Sequence, residues 1–373
     1  MKNEDNILPI TKEKYKKIAI IGKSAEAPVF MGGGSSRVSI KEESVDSPLA
    51  FIRELAGEEI QVTYCPEFGH AQNFMDSDDR TGALIKAASD ADLTVVFVSD
   101  NNGLEVETEA LDRQNLTLPN YVSYSIELAC EFCKNVVVVM QSGSAVLPFR
   151  WNNQVKGIVQ MWYAGEAGGS AIADVLFGKV NPSGKLSETF MKIERTDLDY
   201  PGDGLKVCYR EGQSVGYRYY DQHPEEIWYP FGHGLSYTQF AYSDLSVDAK
   251  CDEQGKYTII VNLSVKNTGA VTGKETVQLY VQPVDSVVYR PYKELKRFAK
   301  VEIAPGEKKE LQFVLGNHDF EYYNTCLKNW HLESGGYNIL IGASSQDIRL
   351  GKGVLLENKD DYTINRVGEC MIL

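Results

Sequence analysis

The 373-residue sequence lacks long apolar runs, clusters of positive charge and a disulfide framework. No stretch approaches the roughly 18 apolar residues that a membrane-spanning helix needs. Asp and Glu outnumber Lys and Arg by 52 to 38, which gives a formal net charge of −14. Nucleic acids and membrane surfaces are therefore disfavoured as partners, because both bind clustered positive charge. The seven cysteines are an odd number spread along the chain, unlike the pattern of a small secreted domain.

The start of the chain also lacks the apolar core of a secretory signal. Residues 1–17 contain only one short apolar group, at 7–10, so we expect a cytoplasmic protein. The composition is that of a globular chain, with 43% apolar and 24% charged residues. At about 100–200 residues per domain, this length predicts two domains or three.

The first half of the chain alternates short apolar runs with helix-length segments. Runs rich in Val and Ile are typical of parallel strands that helices cover on both faces. The predicted strands are 16–22, 60–65, 93–99, 135–143 and 156–163, and the predicted helices are 47–56, 80–91, 120–133 and 168–177. This order predicts an α/β sandwich with a mostly parallel sheet.

From about residue 240 the apolar period changes to two. Tyr257, Ile259, Val261, Leu263 and Val265 alternate with polar residues, as in an antiparallel strand with one buried face. Further short apolar runs follow at 276–283, 311–315, 337–342 and 348–356. The second half is therefore predicted to be an all-β sandwich.

These patterns predict five consecutive parts of the chain. They are a joining segment, an α/β-sandwich domain, an ordered Tyr-rich connection packed on that sandwich, an all-β domain and a tail. Their residues are 1–15, 16–190, 191–240, 241–357 and 358–373, respectively.

Several short motifs match known signatures but lack the surrounding structure. Gly22-Lys23-Ser24 lacks the earlier glycine of a phosphate loop, and the glycines at 32–34 lie too far beyond the first strand for a dinucleotide fold. Gly212–Gly216 matches a nucleophile elbow, but a Tyr-rich segment follows it instead of a helix. Cys130 and Cys133 lie at the end of a predicted helix, where the dipole does not favour a thiolate. The five histidines show no paired ligand spacing, so we expect no metal and no cofactor.

An acidic segment follows the predicted strand at 93–99. Glu105, Glu107 and Glu109 alternate along the chain, so in an extended loop they project the same way. Mutual repulsion would raise the pKa of at least one of these carboxyls, as a proton donor at neutral pH requires. The alternative is a solvated acidic loop that Asp112 and Arg113 hold at its end.

Residues 103–113, Gly-Leu-Glu-Val-Glu-Thr-Glu-Ala-Leu-Asp-Arg, resemble a segment of glycoside hydrolase family 3, which includes β-glucosidases and β-xylosidases. Residues after 240 resemble the fibronectin type III-like domain of the same family. Other segments resemble its landmarks in the same order, at 1–10, 18–38, 142–149, 162–190, 209–221 and 229–245. The resemblance covers nearly the whole chain.

This resemblance implies a retaining glycosidase, most simply a β-glucosidase acting on terminal β-linked sugars without a cofactor. In the family an Asp nucleophile lies on a (β/α)₈ barrel and a Glu acid/base lies on the α/β sandwich, about 5–5.5 Å apart. Counting back from Asp112-Arg113, the acid/base is Glu107, with Glu105 and Glu109 as alternatives. Ala110 stands where the family usually has Gly, which leaves the choice among the three open.

The resemblance also implies residues around the sugar. The glycine-serine loop Gly33, Gly34, Ser35 and Ser36, followed by Arg37, would border the substrate, because glycine lets the backbone approach closely and serine bonds hydroxyls. A tight structural turn is the alternative for this loop. Further residues would serve as structural support at the active site and the barrel interface: Asp112, Arg113, Tyr209 and Glu211.

A (β/α)₈ barrel takes about 250 residues, and no part of the sequence resembles one or carries the family's Ser-Asp-Trp nucleophile motif. We therefore expect the nucleophile on a separate barrel domain or subunit, and the isolated chain to be inactive. The chain is then a subunit of a split enzyme, a piece of a longer or reordered polypeptide, or a truncated product. The alternative function is a non-catalytic carbohydrate-binding or interaction module.

Overall fold

The computed structural model describes residues 1–66, 77–99, 116–195, 198 and 205–359. The chain forms two compact units, each with its own core. Unit 1 comprises Met1–Asn181 and Phe190–Glu194, and unit 2 comprises Pro182–Thr189 and Arg195–Leu373. The five-part division expected from the sequence stays a prediction.

Unit 1 is built on a six-stranded sheet in the order β1-β6-β5-β4-β2-β3. The strands β2 to β6 pair in parallel, and the two-residue β1 pairs antiparallel with β6 at one edge. The strands of unit 1 are β1 (Lys2–Asn3), β2 (Lys17–Ile21), β3 (Gln61–Cys65), β4 (Leu93–Ser99), β5 (Val136–Gln141), β6 (Gly157–Gln160) and β7 (Phe190–Met191). The mostly parallel sheet is confirmed.

Burial explains which runs were easy to recognise as strands. All residues of β4 and β5 are buried, whereas β3, at an edge, alternates exposed and half-buried positions before the buried Cys65. This matches the sequence, in which the run at 60–65 is the least apolar of the five. The strand β1 was not expected, because two residues carry no periodicity.

Among the described residues of unit 1, four helices connect the strands: α1 (Pro48–Ala56), α2 (Ser77–Ser89), α3 (Asn120–Phe132) and α4 (Gly168–Leu176). Ser47 precedes Pro48 at the start of α1, and Gly57 with φ 55° ends it, as these residue types favour. The helix α2 begins three residues before the predicted position and ends two residues before it. None of the described helices is long and apolar enough to cross a membrane.

Unit 2 is antiparallel throughout its described sheets. A three-stranded sheet has the order β13-β10-β9, a four-stranded sheet has the order β12-β11-β16-β17, and β14 pairs with β15. Its elements are α5 (Tyr217–Tyr220), β8 (Ile227–Tyr229), β9 (Phe240–Cys251), β10 (Tyr257–Asn267), β11 (Gly273–Val284), β12 (Glu294–Ile303), β13 (Lys308–Gly316), β14 (Tyr322–Asn324), β15 (Asn329–His331), β16 (Gly335–Gly342) and β17 (Ile348–Leu356).

The core of unit 2 lies between its sheets and follows the period of two. Tyr257, Ile259, Val261, Leu263 and Val265 of β10 are each at most 8% exposed. They pack with inward residues of β11, β13 and β16. The fold class expected from the sequence, an α/β sheet followed by an all-β sandwich, is therefore confirmed.

Candidate functional site

The carboxyl ends of the parallel strands in unit 1 form the edge where open α/β sheets bind ligands. Gln141 ends β5 and is followed by Ser142, and Gln160 ends β6. The Gln160 amide donates to the Ser142 hydroxyl over 2.9 Å, and that hydroxyl donates to the Ser144 carbonyl. The Gln160 Oε1 atom is buried without a hydrogen-bond partner among the described residues. This edge is thus lined by oriented polar groups.

Gln141 holds the chain that follows β2. Its side chain is fully buried. The Oε1 atom accepts the backbone N–H of Val29 over 2.7 Å, and Nε2 donates to the Ser24 carbonyl over 3.1 Å. One buried amide therefore fixes residues 24–29, which lead into the glycine-serine loop, against the central sheet.

The glycine-serine loop is an exposed turn. Gly34 has φ 66° in a short 3₁₀ turn, Gly34–Ser36, and this left-handed conformation favours glycine. The Ser36 hydroxyl donates to the Gly33 carbonyl over 2.7 Å, and the Arg37 N–H donates to the Gly34 carbonyl over 3.1 Å. Residues 34–37 are exposed, so the loop is both internally bonded and accessible to a ligand.

Both ends of the loop attach to the segment between β6 and α4. The Gly165 N–H donates to the Phe30 carbonyl over 2.9 Å, and the Asp46 N–H donates to the Glu166 carbonyl over 2.8 Å. A Cβ added at Gly32 would lie 3.6 Å from the Tyr163 ring. The loop is therefore fastened on both sides to one short stretch of chain.

Asp46 makes the stronger of these attachments. Its Oδ2 atom accepts the Ser170 hydroxyl over 2.5 Å and the Ser170 N–H over 3.4 Å. Ser170 lies in the first turn of α4, where N–H groups have no partner within the helix and a negative charge is favourable. Gly169 allows this contact, because a Cβ there would lie 2.3 Å from the Asp46 carbonyl oxygen. No local sequence pattern predicts this pairing, because its partners lie 124 residues apart.

Trp162, in the same segment, has an unusual backbone conformation. Its φ is 58°, which costs a bulky residue about 1–2 kcal/mol. Its indole packs edge-to-face on the fully buried ring of Phe190, with 6.1 Å between ring centroids. This strain lies just beyond the carboxyl end of β6, and such outliers cluster at functional sites.

The predicted catalytic and support residues fall in different places. The candidate acid/base residues and their neighbours lie outside the described residues; they are Glu105, Glu107, Glu109, Asp112 and Arg113. The glycine-serine loop and Arg37 belong to unit 1, and Tyr209 and Glu211 belong to unit 2. The role of each of these residues stays a prediction.

The segment around Tyr209 and Glu211 carries exposed apolar side chains. Leu205 is 100% exposed, Tyr209 is 79% exposed and Val215 is 50% exposed. The backbone is nonetheless ordered by turns, since the Gly212 N–H donates to the Tyr209 carbonyl and the Ser214 N–H donates to the Glu211 carbonyl. Apolar side chains displayed on a hydrogen-bonded segment are typical of an interaction surface.

The Cys130–Cys133 pair and the elbow-like motif Gly212–Gly216 both lie in settings that do not suit catalysis. Burial raises the pKa of the Cys130 thiol to about 12, and Cys133 caps the carboxyl end of α3, so this pair lacks the setting of a redox site. Ser214, in the middle of the elbow-like motif, shares a hydrogen bond with the Tyr289 hydroxyl. A short helix, α5, does follow that motif, contrary to expectation, but no strand precedes it within the described residues 205–216.

The fold defines a class of protein with an α/β domain followed by an antiparallel β-sandwich. Comparison with protein families makes this specific. Residues 1–237 match the glycosyl hydrolase family 3 C-terminal domain, and residues 275–345 match the fibronectin type III-like domain. The chain belongs to glycosyl hydrolase family 3.

Similar proteins extend over nearly the whole chain. Thermostable beta-glucosidase B of Acetivibrio thermocellus is 42% identical over 99% of this chain and 49% of its own length. An exo-alpha-(1->6)-L-arabinopyranosidase of Bifidobacterium breve is 36% identical over 96% of this chain and 47% of its own. The crystal structure of a Bifidobacterium adolescentis GH3 beta-glucosidase superposes with a TM-score of 0.85 at 34% identity, covering 100% of this chain and 55% of that one. The chain thus spans about half the length of the relatives it matches.

Proposed function

We propose that this chain is the acid/base-bearing portion of a retaining β-glycosidase, most simply a β-glucosidase. The nucleophile would come from a (β/α)₈ barrel domain or subunit. The observation that carries the proposal is the match of residues 1–237 to the family 3 C-terminal domain, together with 42% identity to a β-glucosidase across 99% of the chain.

In the proposed mechanism Glu107 protonates the glycosidic oxygen while the barrel's carboxylate attacks the sugar. The same Glu then removes a proton from the water that releases the glycosyl-enzyme intermediate. Glu107 comes after β4 in the sequence, and β4 itself ends at the carboxyl edge of the parallel sheet, which is the edge that α/β sheets use for ligands. Glu105 and Glu109 are the alternatives.

The glycine-serine loop is proposed to hold the sugar. Ser35 and Ser36 would offer hydroxyl groups and Arg37 a guanidinium, while the backbone at Gly33 and Gly34 allows close approach. The attachment of both loop ends to residues 165–170 supports this role, because a fixed loop loses little entropy when it binds ligand.

The barrel is proposed to contact the exposed segment that contains Tyr209 and Glu211. Large apolar side chains are costly to leave in water, and about 25 cal/mol is recovered per Å² buried. The exposure of Leu205, Tyr209 and Val215 supports such a contact. Charge reversal and alanine substitution in this segment should weaken barrel binding without unfolding unit 2.

The glycone is proposed to be glucose, in a protein acting in the cytoplasm. One relative carries a β-glucosidase name and another an arabinopyranosidase name. An aryl β-glucoside and an aryl α-L-arabinopyranoside are therefore the two substrates to compare.

The decisive experiment purifies the native protein with any bound barrel and assays aryl β-glucoside hydrolysis for the complex and for the pure chain. We expect turnover only where the barrel is present. Clear turnover by the pure chain would show that the nucleophile does not have to come from a separate barrel. If no barrel binds, the alternative function, a non-catalytic carbohydrate-binding or interaction module, is favoured.

Leaving-group dependence then identifies the acid/base. Replacing the proton donor should lower the rate of hydrolysis of a glucoside with a poor leaving group by about 10²–10⁴-fold. The rate at which the glycosyl-enzyme intermediate forms should fall much less for a dinitrophenyl glucoside, because dinitrophenolate leaves without a proton. Glu107→Gln should show this split, and Glu105→Gln and Glu109→Gln serve as matched controls. Equal losses on both substrates for Glu107→Gln would move the assignment to one of the other two.

A further inference from the structure

His223, Glu225 and Glu226 form a compact group of metal-ligating side chains in unit 2, whereas the candidate sugar loop belongs to unit 1. One donor atom from each lies within 4.8 Å of the others. Specifically, His223 Nδ1 is 3.7 Å from a Glu225 oxygen and 3.9 Å from a Glu226 oxygen. An imidazole with two carboxylates differs from a solvated acidic patch, because it offers a nitrogen donor that zinc favours.

The His223 ring and the backbone that carries the two carboxylates are ordered before any ion binds. The His223 ring stacks on Tyr219 with 4.2 Å between centroids, and the Arg195 guanidinium covers the same Tyr219 ring at 3.7 Å. Pro224 starts a 3₁₀ turn, Pro224–Glu226, which the Glu226 N–H closes by donating to the His223 carbonyl over 3.1 Å. Three donors within four residues therefore need little ordering.

The donor spacing suits an ion better than a direct hydrogen bond. Two ligands about 2.1 Å from a tetrahedral zinc lie about 3.4 Å apart, a few tenths of an ångström inside the observed 3.7 and 3.9 Å. A second His–Glu pair of this protein shows the contrast, since His318 Nδ1 lies 3.1 Å from Glu321 Oε2. That pair is directly hydrogen-bonded and has one carboxylate.

We propose that His223, Glu225 and Glu226 bind one zinc ion, with water at the remaining position. Calcium is disfavoured because it takes oxygen ligands. Histidine spacing alone does not predict this site, because two of its three donors are carboxylates. The ion would fasten the turn at 223–226 and is independent of the proposed glycosidase activity.

The test titrates the purified chain with Zn²⁺ by isothermal calorimetry, in a background where the exposed Cys251 and Cys326 are serine. We expect one ion per chain in the parent protein. His223→Ala and Glu226→Gln should weaken binding by at least about 10-fold, and His318→Ala should leave it unchanged.

Thermal unfolding supplies the second measurement. Zn²⁺ should raise the midpoint of the parent and of His318→Ala, but not that of His223→Ala, because only a ligand that binds the folded state stabilises it. Midpoints without metal confirm that each variant folds. Absence of zinc binding by the parent, or unchanged affinity in His223→Ala, would overturn the proposal.

Discussion

At the scale of the residue, the most consequential contact is a buried ion pair in unit 2. The Lys293 ammonium lies 2.5 Å from Asp221 Oδ1, and the two side chains are 4% and 0% exposed. Burial raises the pKa of the Asp221 carboxyl and lowers the pKa of Lys293, while each charge opposes the shift of the other. Gln346 donates to the same Oδ1 atom, whereas Oδ2 has no hydrogen-bond partner among the described residues.

Asp221→Asn should destabilise unit 2 strongly. The change leaves the Lys293 charge buried without a counter-ion, which costs about 3–5 kcal/mol. Denaturant unfolding followed by circular dichroism measures the loss. Glu302→Gln is the matched control, because its partner Lys274 is exposed, and an exposed pair contributes about 0–1 kcal/mol. Equal effects of the two substitutions would show that Lys293 regains water in the variant.

Cysteine reactivity provides a second prediction at this scale. Burial raises the pKa of Cys130 to about 12, so below that pH the thiol keeps its proton and the reactive thiolate is scarce. Iodoacetamide at pH 8 should therefore label the exposed Cys251 and Cys326 and spare Cys130 in the native protein. Peptide mass spectrometry reads the sites, and labelling after unfolding is the control. Rapid native labelling of Cys130 would instead indicate an activated thiol.

At the scale of the element, the segment that follows the glycine-serine loop is bonded to the start of helix α4. Asp46 bonds Ser170 in the first turn of α4, and the neighbouring Gly169 leaves room for the Asp46 backbone. The helix dipole favours the Asp46 carboxylate at this end. The position of the loop thus depends on a helix that follows it by more than 100 residues.

Two helical glycines should respond oppositely to alanine. A Cβ at Gly169 would lie 2.3 Å from the Asp46 carbonyl oxygen, whereas a Cβ at Gly82 in α2 meets nothing within 4 Å. Gly169→Ala should lower the free energy of unfolding by about 1–3 kcal/mol, because the core is overpacked. Gly82→Ala should raise the free energy of unfolding by at most about 1 kcal/mol, because alanine has the higher helix propensity. Thermal unfolding measures both.

Hydrogen exchange separates the local effect from the global one. The Gly169→Ala variant should lose protection at the Asp46 N–H, which donates to the Glu166 carbonyl. Gly82→Ala should keep it. Unchanged protection of Asp46 in Gly169→Ala would mean that the loop does not depend on this close approach.

The same elements show what the sequence could and could not predict. Fully buried strands such as β4 and β5 can be recognised because nearly all of their residues are apolar, and Ser47-Pro48 marks the start of α1. By contrast, β12 has mixed polar and apolar residues that are mostly half-buried or exposed, so its pattern is weak. Pairings between distant residues, such as Asp46 with Ser170, depend on the fold and leave no local signal.

At the scale of the whole molecule, residues 205–240 of the Tyr-rich connection belong to unit 2. The Tyr217 hydroxyl accepts the Leu295 N–H over 2.9 Å, and its ring stacks on Phe231 at 4.7 Å. The Gln278 amide of β11 donates to the Gly232 carbonyl over 3.0 Å. Together with the ion pair between Asp221 and Lys293, these contacts join residues 217–232 to the strands β11 and β12.

An all-β domain that begins at residue 241 should therefore be less stable than one that begins at residue 205. Removing residues 205–240 takes away one partner each of Lys293, Gln278 and Leu295 and exposes apolar surface around the fully buried Tyr280. One large buried side chain contributes about 1.5–3 kcal/mol, so we expect a loss above about 2 kcal/mol. Denaturant unfolding of the proteins 205–359 and 241–359 measures the difference. Equal unfolding midpoints would instead mean that the all-β domain folds independently of the connection and that its boundary lies at residue 241.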